Sequence, residues 1–347
     1  MKPSHLTDPP DRPAGHDRSW LSYVMAYVHN PDPGAADLVI LTAQDFTAEP
    51  VARLPARIPL GFPRQLDRRL VDPLIPPSPR PDGPRARTGR SRRRYVPIMR
   101  RAMKIDGSVA LVTGANRGLG RVYARELVSR GAAKVYGAAR DPAAVTEPGV
   151  VPIALDITDP DRVALVAAQC TDVSLLVNNA GVLKYSTFTG APNLDAARME
   201  METNYFGTLS MCRAFAPVLA GNGGGAIVNM LSVTSFYTNP FDASYGASKA
   251  AAWSLTNGVR LELHHQGTLV VAVHASFIDT DMAALTNAPK DTPESVAQQV
   301  FDAVEAGQIE VLADERTRTV KGELSRDHEL IYPPIQEFWD AAVRGTP

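Results

Sequence analysis

A tyrosine and a lysine, Tyr245 and Lys249, stand four residues apart in the alanine-rich stretch SYGASKAA. The composition predicts a helix, on which positions i and i+4 share one face. A nearby ammonium group favours the phenolate and lowers the pKa of a tyrosine from its ordinary value of about 10. Such a pair could exchange a proton with a substrate as a general acid and base. The alternative for the pair alone is two unrelated polar residues on a helix face.

A second stretch with chemical potential is TGANRGLG at residues 113–120, which carries Gly114, Gly118 and Gly120. It lies between a predicted strand and a predicted helix, where glycines let the chain turn sharply and let a pyrophosphate approach backbone amides. The positive end of the helix dipole favours an anion there. A plain tight turn is the alternative, but the placement between strand and helix favours nucleotide binding.

Short apolar runs alternate with amphipathic stretches from residue 103 onward, and these elements must position the candidate residues. Strands that alternate with helices predict βαβ units with right-handed crossovers, and therefore a Rossmann-like, doubly wound parallel sheet of the α/β class. Ligands bind such a sheet at the carboxyl ends of its strands. The predicted strands are 109–114, 134–139, 150–155, 174–179, 226–231 and 269–274, and the predicted helices are 119–129, 161–169, 195–220, 245–265 and 293–305.

Five motifs follow one another in the order and spacing of a known family. They are the glycine pattern after Thr113, NNAG at 178–181, NYFG at 204–207, Ser232 at a predicted strand end and YGASK at 245–249. Residues from about 104 to 347 therefore resemble the short-chain dehydrogenase/reductase family. The resemblance implies an oxidoreductase that interconverts a carbonyl compound and an alcohol by hydride transfer. A catalytically silent nucleotide-binding regulatory or scaffold protein of the same fold is the alternative.

The resemblance also implies roles for single residues. Tyr245 would be the general acid and base, Lys249 would bind the nicotinamide ribose, and Ser232 would hydrogen-bond the substrate oxygen. Asn204 would hold a water that connects Lys249 to solvent, with a capping or packing amide as the alternative. No metal ligand is predicted. The predicted cofactor-binding residues are Gly114, Asn116, Arg117, Gly118, Leu119, Gly120, Arg140, Asp156, Ile157, Asn178, Ala180, Gly181, Tyr245, Lys249, Ile278 and Thr280.

The choice of cofactor depends on the end of the second predicted strand of this domain. An acidic residue there would bind the ribose 2′-hydroxyl of NAD, whereas this chain has Arg140. Arg117 in the glycine loop should lie close by, and two guanidinium groups would suit a 2′-phosphate. We therefore predict NADP(H) in preference to NAD(H). Because the acidic residue Asp141 follows Arg140, NAD(H) is the alternative cofactor.

One departure from the family pattern follows the last predicted strand. Ala275 and Ser276 replace the Pro-Gly pair that the family has there, although Thr280 is retained. Proline fixes φ and glycine permits unusual angles, so the loop that orients the nicotinamide should shift.

The predicted substrate pocket lies around this loop and residues 237–241. Its expected apolar residues predict a small hydrophobic carbonyl or alcohol substrate. The family resemblance also implies a homodimer or homotetramer built through the helices at 195–220 and 245–265. The expected apolar residues are Phe236, Phe241, Met282 and Leu285.

The first hundred residues have a different character. Residues about 16–62 predict two strands and resemble the last strands of a carotenoid-cleaving oxygenase, with Pro63 where that family has an iron-ligating histidine. Residues 64–102 contain twelve Arg and three acidic residues among scattered prolines, which predicts a disordered linker, with a patch that binds nucleic acid or anionic lipid as the alternative. We therefore predict a non-functional fragment at 1–63, a linker at 64–102 and the catalytic domain at 103–347.

The bulk composition excludes several classes of partner. With 36 basic and 37 acidic residues the net charge is −1, so neither nucleic acid nor a membrane surface is an expected partner. Cys170 and Cys212 form no disulfide framework, which fits a reducing compartment. No apolar run reaches the roughly 20 residues that span a bilayer. The expected location is the cytoplasm.

Overall fold

The computed structural model describes residues 101–344 throughout and, before them, the backbone of three strands within residues 23–54. These strands form an antiparallel sheet in the order β1 (Tyr23–His29), β2 (Ala36–Thr42) and β3 (Glu49–Leu54). Two of them match the predicted strands, and β3 was not predicted. The predicted missing iron ligand at Pro63 and the predicted linker, except its last two residues, lie outside the described residues.

The main sheet has seven parallel strands, as the predicted α/β class requires. The strands are β4 Val109–Thr113, β5 Lys134–Ala139, β6 Val150–Ala154, β7 Leu175–Asn178, β8 Gly225–Met230, β9 Thr268–His274 and β10 Glu310–Leu312. Their order in the sheet is β10-β9-β8-β7-β4-β5-β6, so the direction of winding reverses between β4 and β7. A reversal of this kind opens a crevice at the carboxyl ends of the two strands.

Helices cover both faces of this sheet. The helices of residues 101–344 are α1 Gly118–Ser129, α2 Pro160–Gln169, α3 Asp195–Glu200, α4 Thr208–Gly221, α5 Ala243–Glu262, α6 Pro293–Glu305, α7 Glu315–Glu323, α8 Asp327–Leu330 and α9 Tyr332–Arg344. Helices α7, α8 and α9 follow the last strand, beyond the region in which the sequence predicted helices. Nowhere in these residues is a helix both long and apolar enough to cross a membrane.

Alternating strand residues divide the core into two layers. Ala110 and Val112 of β4 pack in one apolar cluster with α1 and α6, while Leu111 between them packs in the other with α2, α4 and α5. All three side chains are fully buried. Successive strand residues point to opposite faces, so a strand that is covered on both sides must be apolar without interruption. The core thus fixes the strand ends that carry the site.

The helix predicted over 195–220 is interrupted. Between α3 and α4, Met201–Gly207 form a π-helical segment that contains the predicted site residue Asn204. Single π-helical turns inside α-helices occur often at functional sites. Gly207 allows this segment to pack on the loop after β6, since a Cβ there would lie 2.7 Å from the side chain of Ile157.

Candidate active site

A cavity of about 1070 Å³ opens at the point where the sheet reverses direction. Loops that follow β4, β5, β6, β7, β8 and β9 contribute to its wall, together with the start of α5 and of α7. Pockets for cofactors and small molecules commonly occupy several hundred to about a thousand cubic ångströms. The cavity therefore has room for a dinucleotide and a small substrate.

The glycine loop forms one end of the cavity. Gly114 and Gly118 have φ of 68° and 52°, in the left-handed region that favours glycine. At Gly120, a Cβ would overlap the carbonyl oxygen of Gly114. The loop therefore presents bare backbone at the start of α1, which is the arrangement that a pyrophosphate needs. These residues fit a nicotinamide dinucleotide.

Thr113 joins the ends of the two strands on either side of the crevice. Its Oγ1 accepts hydrogen bonds from the backbone N–H groups of Asn179 and Ala180, each at 3.0 Å. The Asn179 side chain returns a bond to the carbonyl of Thr113, also at 3.0 Å. The sequence reasoning named Thr113 only as the residue before the glycines and did not name Asn179. Thr113 and Asn179 are far apart in the sequence, so no local pattern indicates that they are in contact.

Ser232 and Tyr245 lie together in the wall of the cavity, at the end of β8 and in the first turn of α5. The Ser232 hydroxyl lies close enough to that of Tyr245 to lower the pKa of the tyrosine. Thr234 donates to the Ser232 Oγ from its own Oγ1 at 3.0 Å and from its backbone N–H at 3.2 Å. This neighbour thus fixes the position of the serine hydroxyl.

Lys249 lies one turn further along α5, where it is 5% exposed and lines the same cavity. Its Nζ donates to the carbonyl of Met230 at 2.8 Å and lies 5.6 Å from the centre of the Tyr245 ring. Burial lowers the pKa of Lys249 to about 8. At neutral pH most molecules therefore still carry the ammonium charge next to the tyrosine.

The pKa of Tyr245 differs from the expectation. Burial raises it above its ordinary value, Asp242 raises it further, and the Ser232 hydroxyl lowers it only in part. The expected lowering of this pKa is wrong for this arrangement, because desolvation of the buried phenolate is the largest effect on it. Tyr245 therefore holds its proton at neutral pH.

Two buried polar residues support the site from behind. Asn204 clamps the loop after β7, since its Oδ1 accepts from the backbone N–H of Val182 at 2.8 Å and its Nδ2 donates to the Val182 carbonyl at 2.9 Å. The same Nδ2 donates to Ser248 Oγ in α5. Glu200, fully buried, accepts from the Lys184 backbone and from the Ser244 hydroxyl. The sequence reasoning missed Glu200, because a glutamate in a helix usually faces water.

The loop after β9 is held without the Pro-Gly pair. The backbone N–H of Ser276 donates to Asp314 Oδ2 at 2.7 Å. The same carboxylate caps α7, because it accepts from the backbone N–H and the hydroxyl of Thr317, both at 2.8 Å. Ala275 and Ser276 have no positive φ. A carboxylate from the C-terminal region thus fixes the loop whose shift we expected.

Arg117 and Arg140, which we predicted to bind the 2′ position of the cofactor ribose, both line the cavity, but they do not act as a pair. Arg117 Nη1 instead contacts Asp281 Oδ2 at 3.0 Å, and both side chains are mostly exposed. An exposed ion pair of this kind contributes little stability. Arg140 is exposed at the end of β5, with Asp141 capping the short turn that follows.

Most of the predicted site residues meet at this cavity, and some do not. Asn178 points into the core, where its Nδ2 donates to Asn229 Oδ1 at 2.9 Å, and Asn179 lines the wall in its place. Asn204 lies one layer behind the wall. The predicted residues that line the cavity are Gly114, Asn116, Arg117, Gly118, Leu119, Gly120, Arg140, Asp156, Ile157, Ala180, Gly181, Ser232, Tyr245, Lys249, Ile278 and Thr280.

The expected apolar substrate wall is only partly formed. Met282 lines the cavity, whereas Leu285 is 81% exposed outside it. Phe241 packs on Phe338 and Trp339 of α9. Since the sequence reasoning did not include α9, it could not separate side chains that face this helix from those that face a ligand.

Phe236, the remaining expected wall residue, packs behind the site against a buried histidine. Its ring stacks on that of His274, with centroids 4.2 Å apart. His274 Nδ1 lies 2.9 Å from Ser235 Oγ and 3.2 Å from the carbonyl oxygen of Ser232. Its Nε2 lies 3.8 Å from Glu310 Oε1. The sequence reasoning did not single out His274.

Residues 108–291, more than half of the chain, match the family model of the short chain dehydrogenases. A sorbitol dehydrogenase of Cereibacter sphaeroides is 33% identical over 229 residues, which are 60% of this chain and 86% of that protein. A 3-oxoacyl-(acyl-carrier-protein) reductase of Vibrio cholerae is 32% identical over 200 residues, which are 53% of this chain and 79% of that protein.

Solved structures give the same result. A short chain dehydrogenase from Burkholderia cenocepacia in complex with NADP is 40% identical, with a TM-score of 0.65, and the match covers 67% of this chain and 99% of that one. Another, from Burkholderia phymatum in complex with NAD, is 26% identical, with a TM-score of 0.59 and coverage of 66% and 96%. The similar structures thus include both cofactors.

Proposed function

Because the chain belongs to the short-chain dehydrogenase family, it is an oxidoreductase that interconverts CH–OH and C=O groups with NADP or NAD, and we propose that Tyr245 is its general acid and base. The observation that carries this proposal is the meeting of Tyr245, Ser232 and Lys249 in the wall of one cavity. The substrate is a small molecule. The bound nicotinamide supplies or accepts the hydride.

The protein side chains would manage the proton and the charge on the reacting oxygen. In reduction, the Tyr245 hydroxyl donates its proton to the carbonyl oxygen, and in oxidation the phenolate takes a proton from the alcohol. The Ser232 hydroxyl hydrogen-bonds the same oxygen and stabilises its developing charge. The ammonium group of Lys249 stabilises the phenolate that remains. Asn204 supports this set through Ser248, whose Oγ donates to the carbonyl of Tyr245 at 2.7 Å.

NADP(H) is the cofactor that we propose. Arg140 stands at the end of β5, where an acidic residue would favour the 2′-hydroxyl of NAD(H). A guanidinium group there suits a 2′-phosphate. The exposed pair of Arg117 with Asp281 is weak enough for Arg117 to join it. Replacing Arg140 by Ala should raise the KM for NADPH at least tenfold and leave that for NADH unchanged, and equal changes would contradict the proposal.

The proposed substrate has a largely apolar body, and the proposed assembly is a homodimer or homotetramer. Leu183 and Met282 contribute apolar surface to the cavity. Leu261 of α5 is 72% exposed, which leaves apolar surface on one of the helices that we expect to pair. Analytical ultracentrifugation of the full chain checks the assembly, and a monomer at micromolar concentration would contradict it.

We also propose that residues 103–347 carry the whole activity, with residues 1–63 a non-functional fragment and 64–102 a linker. The family match lies within 108–291, and the cavity is lined by residues between 113 and 316. The chain begun at Met103 should retain the kcat of the full chain. Loss of cofactor binding in this shorter chain would show that the N-terminal residues are needed.

The decisive experiment removes one hydroxyl group. Tyr245→Phe should lower kcat by about 10²- to 10⁴-fold, the usual contribution of a positioned acid or base, with cofactor affinity retained. Tyr136→Phe is the control, because the Tyr136 hydroxyl bonds Asp172, away from the cavity. Ketones and aldehydes serve as substrates, and NADPH fluorescence reports cofactor binding. A Tyr245→Phe variant as active as the parent chain would contradict the proposed acid/base role and revive a catalytically silent one.

A further inference from the structure

Arg316 places a positive charge in the wall of the cavity. It is an exposed residue in the first turn of α7, beyond residue 291, where the match to the family ends. Within residues 101–344 its guanidinium group forms no ion pair with a carboxylate, although five other arginines of this region form close ones. Its charge is thus available to a ligand in the cavity.

Two neighbours hold the guanidinium group in place. Arg316 Nη2 donates to the hydroxyl of Tyr237 at 3.0 Å, and its Cζ lies 5.5 Å from the centre of the Phe277 ring. Tyr237 and Phe277 both line the cavity. No other hydrogen bond of this side chain occurs in residues 101–344. The group is therefore oriented by an aromatic face and a hydroxyl and keeps N–H donors for a ligand.

The backbone of Arg316 is fixed relative to the catalytic loops. The preceding Asp314 caps α7 and also accepts from the backbone N–H of Ser276 in the loop after β9. Arg316 bonds Tyr237, which follows Ser232 by five residues in the chain. The charge of Arg316 also acts on Asp242, which precedes Tyr245 by three residues. The arginine thus belongs to the part of the wall that flanks Ser232 and Tyr245.

The charge of Asp242 limits which anion would fit. This residue lines the same wall, and its Oδ1 is buried without a hydrogen-bond partner in the described part of the chain. Burial raises the pKa of Asp242 to about 6, while the charge of Arg316 lowers it in part. A ligand group with a single negative charge tolerates this neighbour better than a doubly charged phosphate.

We propose that Arg316 binds a carboxylate of the substrate, so that the carbonyl compound is an oxo acid and the alcohol the matching hydroxy acid. The planar guanidinium group matches the two oxygens of a carboxylate. The hydrocarbon part of the substrate then lies along the apolar wall, and the carboxylate lies beside Tyr237. This proposal rests on the proposed oxidoreductase function and adds its substrate class.

The test compares acids with their uncharged esters. Straight-chain eight-carbon acids with an oxo group at carbon 2, 3, 4 or 5, and their methyl esters, are assayed with NADPH. For at least one position the full chain should have a kcat/KM at least tenfold higher for the acid than for the ester, a difference of about 1.4 kcal/mol, since only the acid offers a charged acceptor to the guanidinium group. Arg316→Met should remove this preference by lowering the value for the acid and sparing that for the ester.

Arg318→Met is the matched control, because Arg318 lies on the same helix and pairs with Glu315. It should keep the preference for the acid. Arg316→Lys keeps the charge and should keep a reduced preference, which separates recognition from folding. A wild-type chain without any preference, or an Arg316→Met variant that loses acid and ester equally, would overturn the proposal. The proposed oxidoreductase function is tested separately. It is supported if the Arg316→Met variant still reduces the ester and the Tyr245→Phe variant does not, whether or not the acid is preferred.

A binding measurement covers the case in which no acid of the panel is turned over. Octanoate should raise the melting temperature of the full chain in the presence of NADP⁺, and Arg316→Met should abolish the shift. Inorganic phosphate at the same concentration should shift the melting temperature less. A larger shift with phosphate, or no shift with octanoate, would contradict carboxylate binding.

Discussion

His274 provides a quantitative test of how burial controls the stability of this domain. The ring is fully buried at the end of β9, between Phe236 and Trp253, whose ring centroids lie 4.2 and 5.9 Å away. Burial lowers its pKa from 6.5 to about 4, and Lys321 lowers it further, while the Ser232 carbonyl and Glu310 oppose the shift. Protonation must therefore cost more in the folded chain than in the unfolded chain.

The magnitude follows from linkage between protonation and folding. Because the pKa is lower in the folded chain, the unfolded chain binds more protons between pH 6.5 and pH 4, and stability falls as the pH falls through this window. A difference of about 2.5 pKa units corresponds to about 3 kcal/mol, of which about 2 kcal/mol develops between pH 7 and pH 5. Above pH 6.5 this contribution to stability is fully present.

The assay is urea unfolding of the full chain at pH 7 and pH 5, compared with His274→Asn. The free energy of unfolding of the parent chain should fall by about 2 kcal/mol more than that of the variant, which has no imidazole to protonate. His264→Asn removes an exposed histidine and should behave like the parent chain. If His274→Asn does not fold, His274→Gln replaces it. Equal pH dependence in the parent chain and the folded variant would refute the reasoning.

Two further predictions concern the loops around the cofactor site. Gly120→Ala should destabilise the chain by about 1–3 kcal/mol and weaken NADPH binding at least tenfold in a fluorescence titration, because the new methyl group would overlap the Gly114 carbonyl. The control is Gly322→Ala, which adds a methyl group to open space and should bind NADPH normally in the same titration. Asp314→Asn should lower stability by about 1–3 kcal/mol and weaken NADPH binding, because an amide N–H₂ then faces donors such as the Ser276 backbone N–H. Calorimetry and the titration together check this, and unchanged values for both would contradict the role of the carboxylate.

The sequence predicted the class of fold and the centre of the site because both depend on local patterns. Uninterrupted apolar strands between amphipathic helices require a buried parallel sheet, and such a sheet places its loops at one edge. Ser232 and Tyr245 could be named because fixed motif offsets place them on adjacent elements. Their positions in the cavity wall agree with those offsets, while their chemical roles stay predictions.

The parts that escaped prediction depend on contacts between distant segments. The three-residue β10 is too short to show a period, and it forms because it pairs with β9. The bond from Asp314 to the Ser276 backbone joins residues 38 positions apart. Likewise, Asn178 and Asn179 differ only in which side of the strand end they face. No pattern in a single sequence contains this information.

The role of Asp314 has a consequence for exchanging parts between relatives. One carboxylate holds both the first turn of α7 and the loop beside the cofactor site, and Arg316 stands two residues further on. A graft of residues 310–344 into a homologue would therefore transfer the loop anchor and the proposed carboxylate contact as one cassette. In a recipient that keeps its own Pro-Gly pair, the backbone angles of that pair and the grafted carboxylate could favour different conformations of the same loop. Swapping this tail together with residues 275–276 avoids that conflict.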